Sequence, residues 1–277
     1  MNNLFSIING SFVRADEANI HVTDLSIQRG YGIFDFFRFI HNQPVFLEEH
    51  FNRFYHSAKV MHLPVQQDRT TLKNLIMELQ QKNQLPDSGI RITLTGGYSP
   101  DGYQIADPNL LITQSAFTYN PAHFEKGIRV ITYEHQRQLP QVKTIDYLKA
   151  IYLQPHIKAH QANDVLYYNQ GLVTECPRAN FFIVNNNEEV ITPGNHVLRG
   201  ITREKLLGME GFRVKEGNIS LADLAAAKEA FITSTTKNIL PVLEIDGKPV
   251  GNGKPGPITT ALYNQLFALK EANASVV

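Results

Sequence analysis

Residues 31–40, YGIFDFFRFI, constrain the fold more than any other stretch. They hold four Phe and two Ile, with Asp35 and Arg38 the only charged members. The run has strand length and no polar alternation, so it predicts a strand buried on both faces or one lining a cavity. Elements that can cover it follow at once. Phe51, Phe54, Tyr55, Ala58 and then Met61 or His62 recur at helical steps, and a second amphipathic run over 71–84 places Leu72, Leu75, Ile76 and Leu79 on one face before Pro86 closes it. Asn9-Gly10 between apolar pairs predicts a tight hairpin, as does Asp246-Gly247. Strands are expected over 90–95 and 109–117. The apolar pattern then lapses over 119–126, where Pro121 stands. That lapse predicts a small α/β domain over 1–118, a linker over 119–126 and a larger domain over 127–277. The second half reads as a strand over 128–133, Lys143 at the start of a helix, several short strands, and helices near 202–209, 221–228 and 257–270. Strands and helices mixed without strict alternation give an α+β class.

Charge narrows the partners. The 277 residues carry 26 Lys plus Arg and 26 Asp plus Glu, so no global field favours nucleic acid or an anionic membrane. An anionic small molecule has to be held by local groups. One cysteine, Cys176, leaves no intramolecular disulfide and fits a reducing compartment. No apolar stretch approaches the roughly 18 residues of a membrane span, and the first residues lack a signal-peptide pattern. A soluble cytoplasmic protein is expected. The ten His show no ligand-spaced pair with a third partner, so no metal site is expected.

Four marks carry chemistry. Lys143 opens Lys-Thr-Ile-Asp-Tyr-Leu, and Glu175 lies thirty-two positions on, followed by Asn180-Phe181-Phe182. Gly200-Ile201-Thr202 precedes a helical run, where backbone N–H groups and a hydroxyl suit an anion, although Thr202 also suits a plain N-cap. Thr233-Ser234-Thr235-Thr236 forms a hydroxyl-rich turn after an apolar strand. Arg53, in Glu-His-Phe-Asn-Arg-Phe, offers a planar fork suited to phosphate.

In order and spacing these marks resemble the fold-type IV pyridoxal-phosphate enzymes, or class IV aminotransferases, over residues 8–267. That family includes branched-chain and D-amino acid aminotransferases and 4-amino-4-deoxychorismate lyases. The resemblance implies the two-domain D-amino acid aminotransferase-like architecture, pyridoxal 5'-phosphate as cofactor, amino acid and 2-oxo acid substrates, a site between the domains, and a homodimer. It makes Lys143 the lysine that condenses with the cofactor aldehyde and moves the proton at the substrate α-carbon; Lys149 is its rival without the sequence context. It sets Glu175 against the pyridine nitrogen, and Arg53, Ile201, Thr202 and Thr235 around the phosphate. N–H groups near Thr235 and Thr236 are where relatives hold the substrate carboxylate.

The pattern Gly30-Tyr31-Gly32-Ile33-Phe34-Asp35 lines the substrate pocket in relatives, which usually have Asp at position 31 and Glu at position 35. Substrate groups implied here are Phe34, Arg38, Arg91, Thr236 and Arg178, the last either a surface residue or a grip for a second carboxylate. D-amino acid aminotransferases use an Arg-x-His pair after Ser-Pro, whereas this chain has Ser99-Pro100-Asp101-Gly102-Tyr103. Residues 251–259, Arg38 and Arg91 look like the branched-chain branch, and Ser234-Thr235-Thr236 like the D-amino acid branch. Transfer to a 2-oxo acid, with L-branched-chain or other apolar donors favoured, competes with D-amino acid transfer, with lyase chemistry hinted at by Thr174-Glu175-Cys176, and with a catalytically silent binder, against which Lys143 and Glu175 argue.

Overall fold

The computed structural model describes residues 4–275, which form two compact units. The first takes the chain up to Thr118, the short segment Val142–Asp146, and the chain from Glu271 on; the second takes Tyr119–Gln141 and Tyr147–Lys270. The larger domain expected over 127–277 is therefore not continuous. Five residues around Lys143 and the end of the last helix cluster with the first unit.

In chain order the first unit contains β1 (Phe5–Ile8), β2 (Ser11–Arg14), α1 (Leu25–Arg29), β3 (Gly32–Ile40), β4 (Gln43–Pro44), α2 (Leu47–Val60), α3 (Arg69–Asn83), β5 (Ser88–Thr95) and β6 (Leu110–Ala116). Its strands make one antiparallel sheet in the order β2-β1-β6-β5-β3-β4. The β1–β2 turn has Asn9 and Gly10 at φ 50° and 84°, the positive angles a tight hairpin requires. β3 is buried at every position except the half-buried Phe36. Its side chains alternate. Ile33, Phe37 and Phe39 join the core with Phe51, Phe54 and Ala58 of α2 and Leu72, Ile76 and Leu79 of α3, while Phe34, Phe36 and Arg38 point to the other face. Gly89 pairs with Arg38 and gives the neighbouring Phe36 ring room: a Cβ there would lie 2.3 Å from the ring's tip, which would have to shift. Asp68 caps α3 by accepting from Thr71 N, so the helix starts at Arg69, ahead of the expected residue 71.

The second unit continues with α4 (Ala122–Lys126), β7 (Ile128–Glu134), α5 (Leu148–Tyr152), α6 (Gln154–Ala159), β8 (Asp164–Asn169), β9 (Leu172–Val173), β10 (Glu175–Cys176), β11 (Ala179–Val184), β12 (Val190–Thr192), α7 (Ile201–Leu207), β13 (Val214–Glu216), α8 (Leu221–Ala226), β14 (Glu229–Ser234), β15 (Asn238–Ile245), β16 (Lys248–Pro249) and α9 (Pro257–Ser275). Part of the expected linker is thus the helix α4. The strands run β13-β12-β11-β14-β15-β7-β8-β9, with β10 on β11 and β16 on β15. β9 pairs with β8 and β10 pairs with β11, and only Thr174 separates β9 from β10. The path β11-β14-β15-β7-β8 therefore returns to β11 and the sheet curls on itself, placing β10 on its inner seam. One core cluster includes Phe181, Ile232, Leu240, Val242, Leu166 and Cys176; another packs Phe182, stacked on Phe231 at 4.8 Å, against Leu262 and Leu266 of α9. No helix among the described residues is long and apolar enough to cross a membrane.

Candidate active site

Lys143 does not open a helix. Residues 142–146 run extended along β3: Phe34 N donates to Lys143 O (2.9 Å), Ile145 N donates to Gly32 O (3.0 Å), and Thr144 bridges Ile33. Helix formation starts only at Leu148. Val142 is fully buried in the first unit's core, so the segment is pinned beside Lys143. A Cβ on Gly32 would lie 2.8 Å from Leu94 O and 3.1 Å from the Ile145 side chain, so the close approach needs glycine. Lys143 Nζ stands 4.6 Å from the centroid of the Phe34 ring, and Arg91 Cζ is 3.9 Å from the same ring. Lys149 lies instead by Tyr133 and Tyr152.

Asp35 departs from the pocket-lining role of its motif. It points to the helix-covered face of β3 with no solvent exposure. Arg53 Nε donates to its Oδ2 and Nη2 to its Oδ1, both at 2.8 Å, and His50 Nδ1 lies 2.7 Å from Oδ1. Burial would raise the Asp35 carboxyl, but the adjoining Arg53 and His50 hold it well below the usual range. Burial lowers His50, against the pull of Asp35 and with Arg53 and Lys143 adding to the effect, and facing a carboxylate its Nδ1–H is the donor to Asp35. Asp35 takes the Nε and Nη2 edge of Arg53. A further anion, such as the phosphate that the resemblance assigns to Arg53, has to be met from the end-on edge, through Nη1 and the second N–H of Nη2. Arg38, buried in β3, stacks over Phe117 at 4.3 Å.

In the second unit, Glu175 is 4% exposed on β10. Arg137 Nε donates to Oε1 at 2.8 Å and Leu198 N to Oε2 at 3.0 Å, with Asn180 Nδ2 at 3.5 Å. Arg137 Nη2 donates to Pro140 O. Asn180 Nδ2 also donates to Leu198 O (2.7 Å), so the Glu-x-x-x-x-Asn pattern is a device that laces β10, β11 and the 198–200 loop together. Gly200 completes it: a Cβ there would lie 2.1 Å from Asn180 Oδ1. Sequence reasoning missed Arg137, since its loop, Glu-His-Gln-Arg-Gln-Leu-Pro, has no periodicity or motif. It also missed His50 as a partner for Asp35, although the His-x-x-Arg spacing was visible.

Gly200, not Thr202, is the N-cap residue of α7. Ile201 opens the helix, and Thr202 is buried in the first turn. Thr235 is half-buried and Thr236 exposed in the β14–β15 turn, where Ser234 Oγ and Thr236 Oγ1 are 3.3 Å apart. Arg178 is exposed in the turn between β10 and β11. Cys176 is 1% exposed, and burial pushes its thiol well up, which suits a packed residue and not a nucleophile. By unit, Lys143, Arg53, Phe34, Arg38 and Arg91 belong to the first, and Glu175, Ile201, Thr202, Thr235, Thr236 and Arg178 to the second. The donor set fits pyridoxal phosphate in kind: an amine, a buried carboxylate with fixed oxygens, a guanidinium and neutral hydroxyl donors.

The branched-chain amino acid aminotransferase of Escherichia coli superposes with a TM-score of 0.89 at 26% identity, covering 97% of this chain and 95% of its own. That of Thermoproteus uzoniensis, solved with norvaline, gives 0.86 at 26%, covering 98% and 96%. The fold is that of the fold-type IV aminotransferases. The D-alanine aminotransferase of Bacillus licheniformis is 30% identical over 276 residues, 95% of this chain and 97% of the relative. The putative branched-chain-amino-acid aminotransferase of Methanocaldococcus jannaschii is 33% identical over 270 residues, 92% of each. A family model described as amino-transferase class IV matches residues 32–245. The chain belongs to the class IV aminotransferase family.

Proposed function

We propose that the chain uses pyridoxal 5'-phosphate to exchange an amino group between an amino acid and a 2-oxo acid in ping-pong fashion, with L-amino acids of apolar side chain as the better donors. The cofactor supplies an aldehyde for the amino group and a ring that draws electrons from the substrate α-carbon. Lys143 holds that aldehyde and then takes and returns the α-proton. Glu175 accepts from the pyridine N–H; a buried carboxylate with one oxygen on Arg137 and the other on Leu198 N–H is the observation that carries this reading. Thr202, Thr235, Arg53 and the Ile201 N–H hold the phosphate, and N–H groups at Thr235 and Thr236 hold the substrate carboxylate. Phe34, Arg38 and Arg91 bear on the substrate side chain, and Arg178 is the residue to meet a second carboxylate. The working form is a cytoplasmic homodimer, for which sedimentation at twice the chain mass is the check.

The choice of L-donor rests on Asp101. Its Oδ1 accepts from Gln104 N, Tyr103 N and Ser99 Oγ at 2.8–3.2 Å, and the backbone N–H groups of Gln104 and Tyr103 hold its carboxyl below the usual range. The loop after Ser99-Pro100 thus presents an anion, which repels a carboxylate. The relative solved with norvaline, an apolar amino acid, supports an apolar side chain in the donor. D-alanine transfer is the second reading, favoured by the Bacillus licheniformis relative and the Ser234-Thr235-Thr236 turn. Single-turnover bleaching of the cofactor with L-leucine and with D-alanine separates them. L-leucine is expected to be faster, and a faster D-alanine reaction overturns the assignment. Pyruvate released from aminodeoxychorismate without any added 2-oxo acid would replace transfer by lyase chemistry.

A further inference from the structure

The β14–β15 turn is closed twice by one residue. Lys237 N donates to Ser234 Oγ at 3.1 Å, and that hydroxyl lies 3.3 Å from Thr236 Oγ1. Lys237 Nζ also donates to Asp164 Oδ2 at 3.2 Å. Asp164 opens β8 and is buried, its other oxygen accepting from Val165 N at 3.0 Å. The lysine side chain is 23% exposed and the aspartate 8%, so the pair is more shielded than a surface salt bridge. Asp164 stands on β8, which packs against β10. A hydroxyl-rich turn is in itself pliable, because short polar side chains exchange partners with the backbone and with water at little cost. A charge pair to a strand elsewhere in the sheet removes that freedom.

We propose that Lys237 is a positioning residue for anion binding, and that its ion pair with Asp164 holds the 234–237 turn so that Thr235 meets the cofactor phosphate. This rests on the function proposed above. Lys237 touches neither substrate nor cofactor; it acts through the turn. The ion pair therefore governs how tightly the phosphate is held and leaves the rest of the cofactor's binding unaffected.

The test compares the binding of pyridoxal phosphate with that of pyridoxal, which lacks the phosphate, by absorbance titration of the full chain stripped of cofactor. Lys237→Met, Lys237→Arg, Asp164→Asn and the Lys237→Met/Asp164→Asn double variant are measured beside the wild type. The double variant leaves no unpaired buried charge, so it keeps the test alive if a single variant folds poorly. Lys237→Met and the double variant are expected to bind pyridoxal phosphate about tenfold more weakly, between what an exposed and a buried pair lose. Pyridoxal binding stays unchanged, and Lys237→Arg stays within about twofold of wild type because it preserves the charge pair. Equal weakening for both ligands marks a general structural role and overturns the proposal, as does undiminished pyridoxal phosphate binding in the double variant. A wild-type chain that binds no pyridoxal phosphate overturns the proposed function itself, and the positioning role with it.

Discussion

Asp35→Asn removes one formal charge from a carboxylate with no solvent exposure. Four polar atoms converge on it, Arg53 Nε and Nη2 and Phe36 N at 2.8 Å and His50 Nδ1 at 2.7 Å. An amide keeps one acceptor and turns the other into a donor facing guanidinium N–H, leaving Arg53, 9% exposed, without a counter-charge. Breaking one partner of a buried ion pair costs about 3–5 kcal/mol. At about 2–4 °C per kcal/mol for a chain of this size, the midpoint of thermal unfolding falls by about 6–20 °C at pH 7. The sign of the pH dependence follows from the depressed Asp35 value. In the unfolded chain the carboxyl titrates near 3.9, and in the fold below that. The wild type keeps its full advantage above about pH 4 and loses it as pH falls toward the folded value. His50 is also lowered in the fold, so the unfolded chain takes up its proton first, near pH 6.5, and this group removes stability as pH falls through that value. Scanning calorimetry of both proteins at pH 7, 5 and 3 is the assay. A shift under about 2 °C at pH 7, or a gap that widens at pH 3, refutes the argument that an ionised Asp35 anchors Arg53.

Borohydride treatment of the cofactor-loaded enzyme is expected to fix the cofactor to Lys143; peptide mapping that finds it on Lys149, or on no lysine, sinks that role. Glu175→Gln is expected to retain the cofactor while slowing α-proton transfer by on the order of 10²–10³, by analogy with loss of one electrostatic donor. Stopped-flow rates equal to wild type would remove Glu175 from the mechanism. Gly200→Ala places a Cβ 2.1 Å from Asn180 Oδ1, so Asn180 or the 198–200 loop has to move; a drop of about 1–3 kcal/mol in denaturant stability is expected, and an unchanged midpoint contradicts the close approach.

What the sequence by itself determined is the part written in local pattern. The double burial of β3 is legible because an apolar run without alternation has no polar face to offer solvent. The Asn9-Gly10 and Asp246-Gly247 turns are legible because their backbone angles belong to those residues. Lys143, Glu175, Gly200, Thr202 and Thr235 were legible as marks in order, which is a matter of chain spacing alone. Tertiary structure decided what those marks touch. Lys143 is extended because β3, far back in the chain, offers N–H and C=O groups to its segment, and no propensity within 142–146 announces that pairing. Asp35 lies in the core because strand register puts it on the face that α2 covers, where His50 and Arg53, one helical turn apart, supply its partners. Arg137 meets Glu175 only because the sheet curls and brings its loop to β10. Hydrophobic periodicity is a property of neighbours along the chain, whereas the pairing of buried charges depends on register between distant segments, and that exists only once the chain has folded.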